Sequence, residues 1–135
     1  MTRDPLPRIL IVDDERMVRQ MLDRILSGHY EVLTLSSPEL VDNAFQTFQP
    51  DLIILDVRMP EEDGWHLCNR LRHDKRYDSI PIIFLSGMTD ELSVREGFSN
   101  GGDYCLGKPF EAGELKQMIQ TFIGRKHRHP DEAAC

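Results

Sequence analysis

Short apolar runs alternate with segments of helical periodicity along this chain, and that alternation restricts the fold more than any other feature. Arg8–Val12, Leu52–Leu55 and Ile82–Leu85 are unbroken runs of the kind that form strands buried on both faces. Tyr30–Leu35 is more mixed, as an edge strand is, and Gly102–Gly107 is a weaker fifth strand. Regular alternation predicts an α/β fold, a doubly wound (βα)5 domain with a parallel sheet between two helical layers.

Five segments carry apolar residues at helical spacing. The first ends near Gly28, and the second begins after Ser37-Pro38, a capping serine followed by a first-turn proline. The fourth, near Asp90 to Ser99, has few apolar residues and predicts the least firmly anchored helix. The five apolar stripes are Met17, Val18, Met21, Leu22, Ile25 and Leu26; Leu40, Val41, Ala44, Phe45 and Phe48; Trp65, Leu67, Cys68 and Leu71; Leu92, Val94 and Phe98; and Leu115, Met118, Ile119, Phe122 and Ile123, with Gly124 beyond the last.

Composition excludes several classes of protein. A net charge of −7 leaves no basic face for nucleic acid. No apolar run approaches the roughly 20 residues that cross a bilayer, and the first residues lack a signal pattern. Cys68, Cys105 and Cys135 are scattered, which argues against a disulfide framework or a zinc site and for a reducing cytosol. We therefore expect a cytoplasmic domain over residues 8–124, with an N-terminal extension over 1–7 and a solvated tail or linker over 125–135.

Polar residues follow four of the predicted strands. Asp13 and Asp14 end the first strand, Asp56 the third and Ser86 the fourth, and the fifth approaches Lys108. Ligands of doubly wound sheets bind at the carboxyl ends of the strands, so these groups should meet at one edge. Each alone has an ordinary structural explanation as a cap, a turn residue or a surface lysine.

Three carboxylates at one edge repel one another strongly unless a positive charge compensates them. Lys108 is one such charge. A hard cation, Mg²⁺ or Mn²⁺, is another, because the predicted cluster offers carboxylates and no histidine or cysteine. A cation beside a carboxylate, a lysine and a hydroxyl is equipment for phosphoryl transfer.

Five sequence motifs resemble the receiver domain of two-component response regulators. They are Ile9-Leu10-Ile11-Val12-Asp13-Asp14-Glu15, Leu55-Asp56-Val57-Arg58-Met59-Pro60, Asp63-Gly64, Phe84-Leu85-Ser86-Gly87 and Gly107-Lys108-Pro109-Phe110. The resemblance extends from about Arg8 to Gly124. It implies a flavodoxin-like sheet with strand order 2-1-3-4-5, and a signalling switch rather than an enzyme acting on separate substrates.

The resemblance also implies roles for individual residues. Asp56 is expected to accept a phosphoryl group from a phosphohistidine, while Lys108 pairs with its oxygens and Ser86 donates a hydroxyl to them. Pro109 is expected to follow a cis peptide bond. The expected metal site for Mg²⁺ or Mn²⁺ consists of Asp14, Asp56 and the backbone carbonyl of Arg58, with Asp13 acting through a bound water.

Cys105 departs from the receiver pattern. Receivers usually carry Tyr or Phe three positions before the lysine, where the ring moves together with the Ser/Thr hydroxyl. Here Tyr104 lies one residue earlier, and strand alternation should turn it to the opposite face. We expect Ser86 to switch without a ring at position 105, and the Cys105 thiol to be inert.

Three other functions compete with a phosphorylated switch. A phosphatase with an aspartyl-phosphate intermediate uses similar groups but needs a DxD nucleophile motif and a cap, and neither is found in the sequence. A flavin-binding protein is disfavoured for want of a phosphate loop after the first strand. A receiver-like interaction module that is no longer phosphorylated is the alternative that Cys105 favours.

The expected partners follow from the resemblance. They are a sensor histidine kinase or phosphotransfer protein, and an output domain if the chain is part of a longer protein. A partner or a second copy, forming a homodimer, is expected on the face of the fourth helix, fifth strand and fifth helix.

Overall fold

Five parallel strands form one sheet in the order β2-β1-β3-β4-β5, which confirms the predicted fold. The computed structural model describes residues 5–59, 62–87 and 101–124. The strands are β1 (Arg8–Val12), β2 (Glu31–Leu35), β3 (Leu52–Asp56), β4 (Ile82–Ser86) and β5 (Tyr104–Gly107). β3 and β4 are buried along their whole length, as their unbroken apolar sequences predict. The last residues of these two strands are Asp56 and Ser86, so two candidate site residues belong to strands rather than to loops.

The helices lie on both faces of the sheet. Helix α1 spans Arg16–Leu26 and α3 spans Gly64–Arg72, both as predicted, and the C-terminal helix spans Ala112–Phe122. The second helix was predicted as one piece but starts as a 3-10 turn, Pro38–Leu40, followed by a short α2, Val41–Phe45. The predicted fourth helix and the tail over 125–135 lie outside the described residues.

Two hydrophobic clusters cover the two faces of the sheet. The cluster on the α2 and α3 side contains Val12, Leu55 and Phe84, with Trp65 and Cys105 packed against it. The cluster on the α1 side contains Ile11, Ile54 and Leu115, with Tyr104 packed against it. The opposite placement of Tyr104 and Cys105 agrees with the alternation expected of a strand. No helix within the described ranges is long and apolar enough to span a membrane.

Arg72 joins the end of α3 to the starts of β4 and β5. Its guanidinium is buried and donates to the carbonyl of Ile80 at 2.6 Å and that of Gly101 at 2.9 Å, and it pairs with Asp103 at 2.9 Å. The same Asp103 oxygen accepts the backbone N–H of Ile82 at 2.9 Å. A buried charge is tolerated only when it is paired and hydrogen-bonded, and Arg72 meets both conditions. These contacts of Arg72 hold the amino ends of β4 and β5 together. The register of the two strands is thereby fixed along to their carboxyl ends.

Candidate functional site

The turn after β1 is fixed by backbone contacts that orient the first acidic residues. The N–H of Asp13 donates to the carbonyl of Leu35 at 3.0 Å, which continues the sheet past the end of the strand. One oxygen of Asp13 accepts the N–H of Glu15 at 2.8 Å, and Arg19 of α1 donates to the Asp13 carbonyl at 2.6 Å. Asp13 is therefore held inside the edge, fully buried, while Asp14 lies at the exposed rim.

Lys108 reaches from the end of β5 to the ends of β1 and β3. Its backbone N–H donates to the carbonyl of Ser86 at 2.7 Å, and the Lys108–Pro109 peptide bond is cis, the isomer expected from the sequence. Its ammonium lies 3.1 Å from Oδ1 of Asp56 and 3.2 Å from Oδ2 of Asp13. One cation is thus shared by two buried carboxylates, and the pocket keeps an excess of negative charge.

Burial, together with the crowding of negative charge, raises the proton affinity of the carboxylates. Burial is the main cause that raises the pKa of Asp56 to about 7, and the nearby charge of Asp13 and hydrogen bonding to Asp14 add to it, against the opposing effect of Lys108. Burial also raises the pKa of Asp13. For Lys108, burial would lower the pKa, but Asp13 and Asp56 outweigh it and the pKa is raised. A carboxyl group with a pKa near neutrality is typical of functional sites.

Glu15 is a residue at this site that the sequence analysis did not single out. Its Oε1 lies 3.6 Å from the ammonium of Lys108. One oxygen each of Asp13, Glu15 and Asp56 lie within 4.8 Å of one another, so this trio could hold a metal ion. The signal for it in the sequence is the third consecutive acidic residue of Asp13-Asp14-Glu15.

The donor chemistry of this pocket fits a hard divalent cation. Every ligand group of the trio is a carboxylate, and oxygen ligands favour Mg²⁺ or Mn²⁺ over softer metals. Asp14, expected as a direct ligand, is exposed and is not one of this trio, although hydrogen bonding to it contributes to the raised pKa of Asp56. Arg58, expected to offer its carbonyl, follows β3 by two residues in the loop at the same edge.

Ser86 belongs to β4 and Cys105 to β5, the strand that pairs with it. Ser86 is the last residue of β4, is buried, and aligns with Gly107 of β5. Cys105 aligns with Phe84, and both of these side chains belong to the α3-side packing. Burial raises the pKa of the Cys105 thiol, so less of it is in the nucleophilic thiolate form.

A five-stranded parallel sheet with an acidic pocket and a lysine at its carboxyl edge defines the receiver-like class of flavodoxin-like folds. The family model described as response regulator receiver domain matches residues 9–120, and the chain belongs to this family. Receiver domains are signalling domains rather than enzymes in the usual sense.

Curated proteins and solved structures that are similar to this chain support its membership of the family. The DNA-binding dual master transcriptional regulator RpaA of Synechocystis is 34% identical over 95% of this chain and 54% of its own length. Response regulator Rre1 of the same organism is 33% identical over 91% of this chain and 54% of its own length. The chain thus spans about half the length of these two relatives. The chemotaxis protein CheY4 of Vibrio cholerae is 30% identical, with a TM-score of 0.82 over 87% of this chain and 98% of its own.

Proposed function

We propose that this domain is a phosphorylation-dependent switch that accepts a phosphoryl group on Asp56. The observation that carries the proposal is the position of the Asp56 carboxylate: it ends β3 in a buried pocket, 3.1 Å from the Lys108 ammonium. A carboxylate oxygen supplies the nucleophile, and the ammonium lies where negative charge collects during transfer.

The donor is a phosphohistidine of a sensor histidine kinase or a phosphotransfer protein. One oxygen of Asp56 attacks phosphorus and the P–N bond breaks. The imidazole leaves with the electron pair of that bond, and an acyl phosphate forms. Lys108 stabilises the phosphoryl oxygens, and the Ser86 hydroxyl donates a hydrogen bond to one of them.

The cation fits the residues that would hold it. Asp14, Asp56 and the carbonyl of Arg58 are its proposed direct ligands, and Asp13 acts through water. Bound there, Mg²⁺ or Mn²⁺ would neutralise negative charge on the phosphoryl oxygens. The excess of carboxylate over ammonium charge around Lys108 supports this assignment.

An exposed face of α1 beside the pocket fits a protein phosphodonor. Met17 is 81% exposed and Met21, one turn later, is 45% exposed. Methionine is over-represented at surfaces that bind more than one protein partner. Against a panel of phosphorylated histidine kinases, Met17→Glu should slow transfer from the preferred kinase while leaving uptake from acetyl phosphate unchanged. The predicted partner face of the fourth helix, β5 and the C-terminal helix includes residues outside the described ranges and stays a prediction.

Intact-mass measurement after treatment with acetyl phosphate or phosphoramidate tests the proposal. One phosphoryl group should appear with Mg²⁺ or Mn²⁺ and none with a chelator. Asp56→Asn should abolish uptake. Asp51→Asn is a matched control, because Asp51 directly precedes the same strand at the opposite edge of the sheet. Undiminished uptake by Asp56→Asn, or full reaction in chelator, would contradict the proposal.

Phosphate uptake by the wild type, compared with uptake by Lys108→Ala, separates the switch from the unphosphorylated interaction module. In a switch, the variant should accept phosphate poorly while remaining folded, because Lys108 contacts the reacting carboxylate. A wild-type domain that takes up no phosphate, with Asp56 intact, would favour the interaction module. A variant that melts and accepts phosphate like the wild type would show that the contact between Lys108 and Asp56 has no part in phosphoryl transfer.

A further inference from the structure

Helix α3 begins directly against the backbone of the phosphoacceptor strand. The N–H of Gly64 donates to the carbonyl of Val57 at 2.8 Å. A Cβ atom at Gly64 would overlap the carbonyl oxygen of Asp56, so the helix is closer to that carbonyl than any other residue type permits. The next residue is Trp65, which is the only tryptophan of the chain. The indole is therefore attached to a turn that is fixed on the backbone of Asp56.

The Trp65 ring contacts β4, the strand that carries Ser86. It packs edge-on against Phe84, with ring centroids 4.4 Å apart and planes inclined by 68°. Phe84 is buried, and Ser86 follows it by two residues, so their side chains leave the strand on the same face. The aromatic pair thus connects the backbone next to Asp56 with the strand that ends in the candidate switch hydroxyl.

The neighbour of Phe84 in β5 is too small to make a comparable contact. That neighbour is Cys105, whose side chain packs on the same cluster as Trp65. A thiol contributes one heavy atom beyond Cβ, whereas an aromatic ring buries a far larger area. Among the described residues, the aromatic ring that contacts Phe84 therefore comes from α3 and not from β5.

We propose that Trp65 is a positioning residue for Ser86, in place of an aromatic ring on β5. This inference rests on the proposed function, since it assigns Trp65 a part in the response of the Asp56 pocket. When Ser86 closes on an anion held at Asp56, the end of β4 moves and Phe84 moves with it. Trp65 is fixed to the Asp56 backbone through Gly64, so the ring contact sets the position that β4 adopts.

The single tryptophan gives a direct readout of this movement. Emission of Trp65 is recorded in Mg²⁺ alone and after addition of beryllofluoride, a phosphoryl mimic. We expect a saturable change in emission on beryllofluoride beyond that caused by Mg²⁺, and its loss in Asp56→Asn. In Phe84→Leu, which keeps the reporter but removes its partner ring, the change should also be lost. An unaltered Trp65 emission in the wild type, or an unaltered response in Phe84→Leu, overturns the proposal.

Substitutions at position 65 separate positioning from packing. The affinity for beryllofluoride, measured by ¹⁹F NMR in Mg²⁺, should fall about tenfold in Trp65→Leu, a typical size for coupling between sites. Trp65→Phe should restore it to within about twofold, because a ring returns to Phe84. The control is Phe45→Leu: Phe45 belongs to another ring pair in the same cluster, with Tyr77 at 4.1 Å, and Tyr77 precedes β4 whereas Ser86 ends it. It should lower the melting temperature and leave the affinity unchanged.

Three outcomes distinguish this inference from the proposed function. Equal losses of affinity in Trp65→Leu and Phe45→Leu would make Trp65 a packing residue only. Normal phosphorylation of Asp56, with unchanged affinity in Trp65→Leu, would overturn the inference and leave the proposed function standing. A wild-type domain that accepts no phosphoryl group from acetyl phosphate would overturn the proposed function and the inference together.

Discussion

The ammonium nitrogen of Lys108 lies 3.1 Å from Oδ1 of Asp56. Asp13 competes for the same ammonium at 3.2 Å, so neither carboxylate has a cation of its own. The pocket can lower its negative charge by binding a proton or a divalent cation, and the two compete for the same oxygens. The pKa of about 7 at Asp56, which burial raises most, places this competition in the physiological range.

The stability of the metal-free domain should fall as the pH rises from about 5 to 8. The pKa of Asp56 is about 7 when folded and near 3.8 when unfolded. Between these values the folded state binds more protons, so the stabilisation is complete below about pH 4 and is lost as the pH rises through about 7. Mg²⁺ replaces the proton, so the rise in melting temperature on adding Mg²⁺ should increase with pH.

Thermal melts with and without Mg²⁺ across this pH range check the prediction. Asp56→Asn removes the titrating group and should flatten the dependence in the metal-free protein. An Mg²⁺ effect of equal size at both ends of the range would show that protons and cations do not compete at Asp56.

Glu15 should strengthen cation binding without being needed for phosphorylation. Its carboxylate is 61% exposed and lies 3.6 Å from Lys108, so it adds negative charge at the rim of the pocket. Glu15→Gln should raise the Mg²⁺ dissociation constant about two- to fivefold, as expected for a largely exposed charge. Calorimetric titration measures this, with Glu114→Gln, exposed at the start of the C-terminal helix, as the control. Equal Mg²⁺ affinities in the two variants would show that the Glu15 carboxylate does not contribute to cation binding.

Gly64→Ala should destabilise the domain, although alanine favours helices. The added methyl group would overlap the carbonyl of Asp56, and overpacking of this kind costs about 1–3 kcal/mol. Gly113→Ala is the matched control, because it lies in the first turn of the C-terminal helix with nothing within 4 Å of the added atom. It should be neutral or gain about 0.5–1 kcal/mol. Urea unfolding of both variants decides between steric overlap and helix propensity: equal effects would show that α3 moves away from Asp56 without cost.

The strands were predictable because their sequences leave few alternatives. Unbroken runs such as Leu52–Leu55 and Ile82–Leu85 are too short for buried helices and too apolar for loops, and they form β3 and β4. Polar residues at the ends of such runs meet at one edge by topology alone, which is why the contacts of Lys108 with Asp13 and Asp56 were foreseeable.

Features that depend on side-chain packing were not predictable. The segment from Pro38 to Phe48 was expected to form one helix. Its first turn is a 3-10 turn, in which the N–H of Leu40 bonds to the carbonyl three residues back, and only Val41–Phe45 forms an α-helix. The contact between Trp65 and Phe84 depends on how closely Gly64 approaches β3. Helical periodicity placed Trp65 in the apolar stripe of α3 but carried no information about which side chain it contacts.

Tyr77→Phe should stabilise the protein. The Tyr77 side chain is fully buried in the α3-side cluster, and its hydroxyl has no hydrogen-bond partner among the described residues. A buried hydroxyl without a partner costs about 1–3 kcal/mol, so its removal should raise the free energy of unfolding by roughly 1 kcal/mol. The ring itself packs on Phe45 at 4.1 Å, and Tyr77→Ala should therefore cost about 3–5 kcal/mol.

Chemical unfolding of the two Tyr77 variants beside Tyr104→Phe tests this account. Tyr104 is only partly buried, so loss of its hydroxyl should change stability by less than about 0.5 kcal/mol. Tyr77 precedes the start of β4, whereas Asp56 lies at the carboxyl end of β3. Uptake of phosphate from acetyl phosphate by Tyr77→Phe should therefore match the wild type. A loss of stability in Tyr77→Phe would mean that the hydroxyl has a partner in solution, because a truly unpartnered group can only gain from its removal.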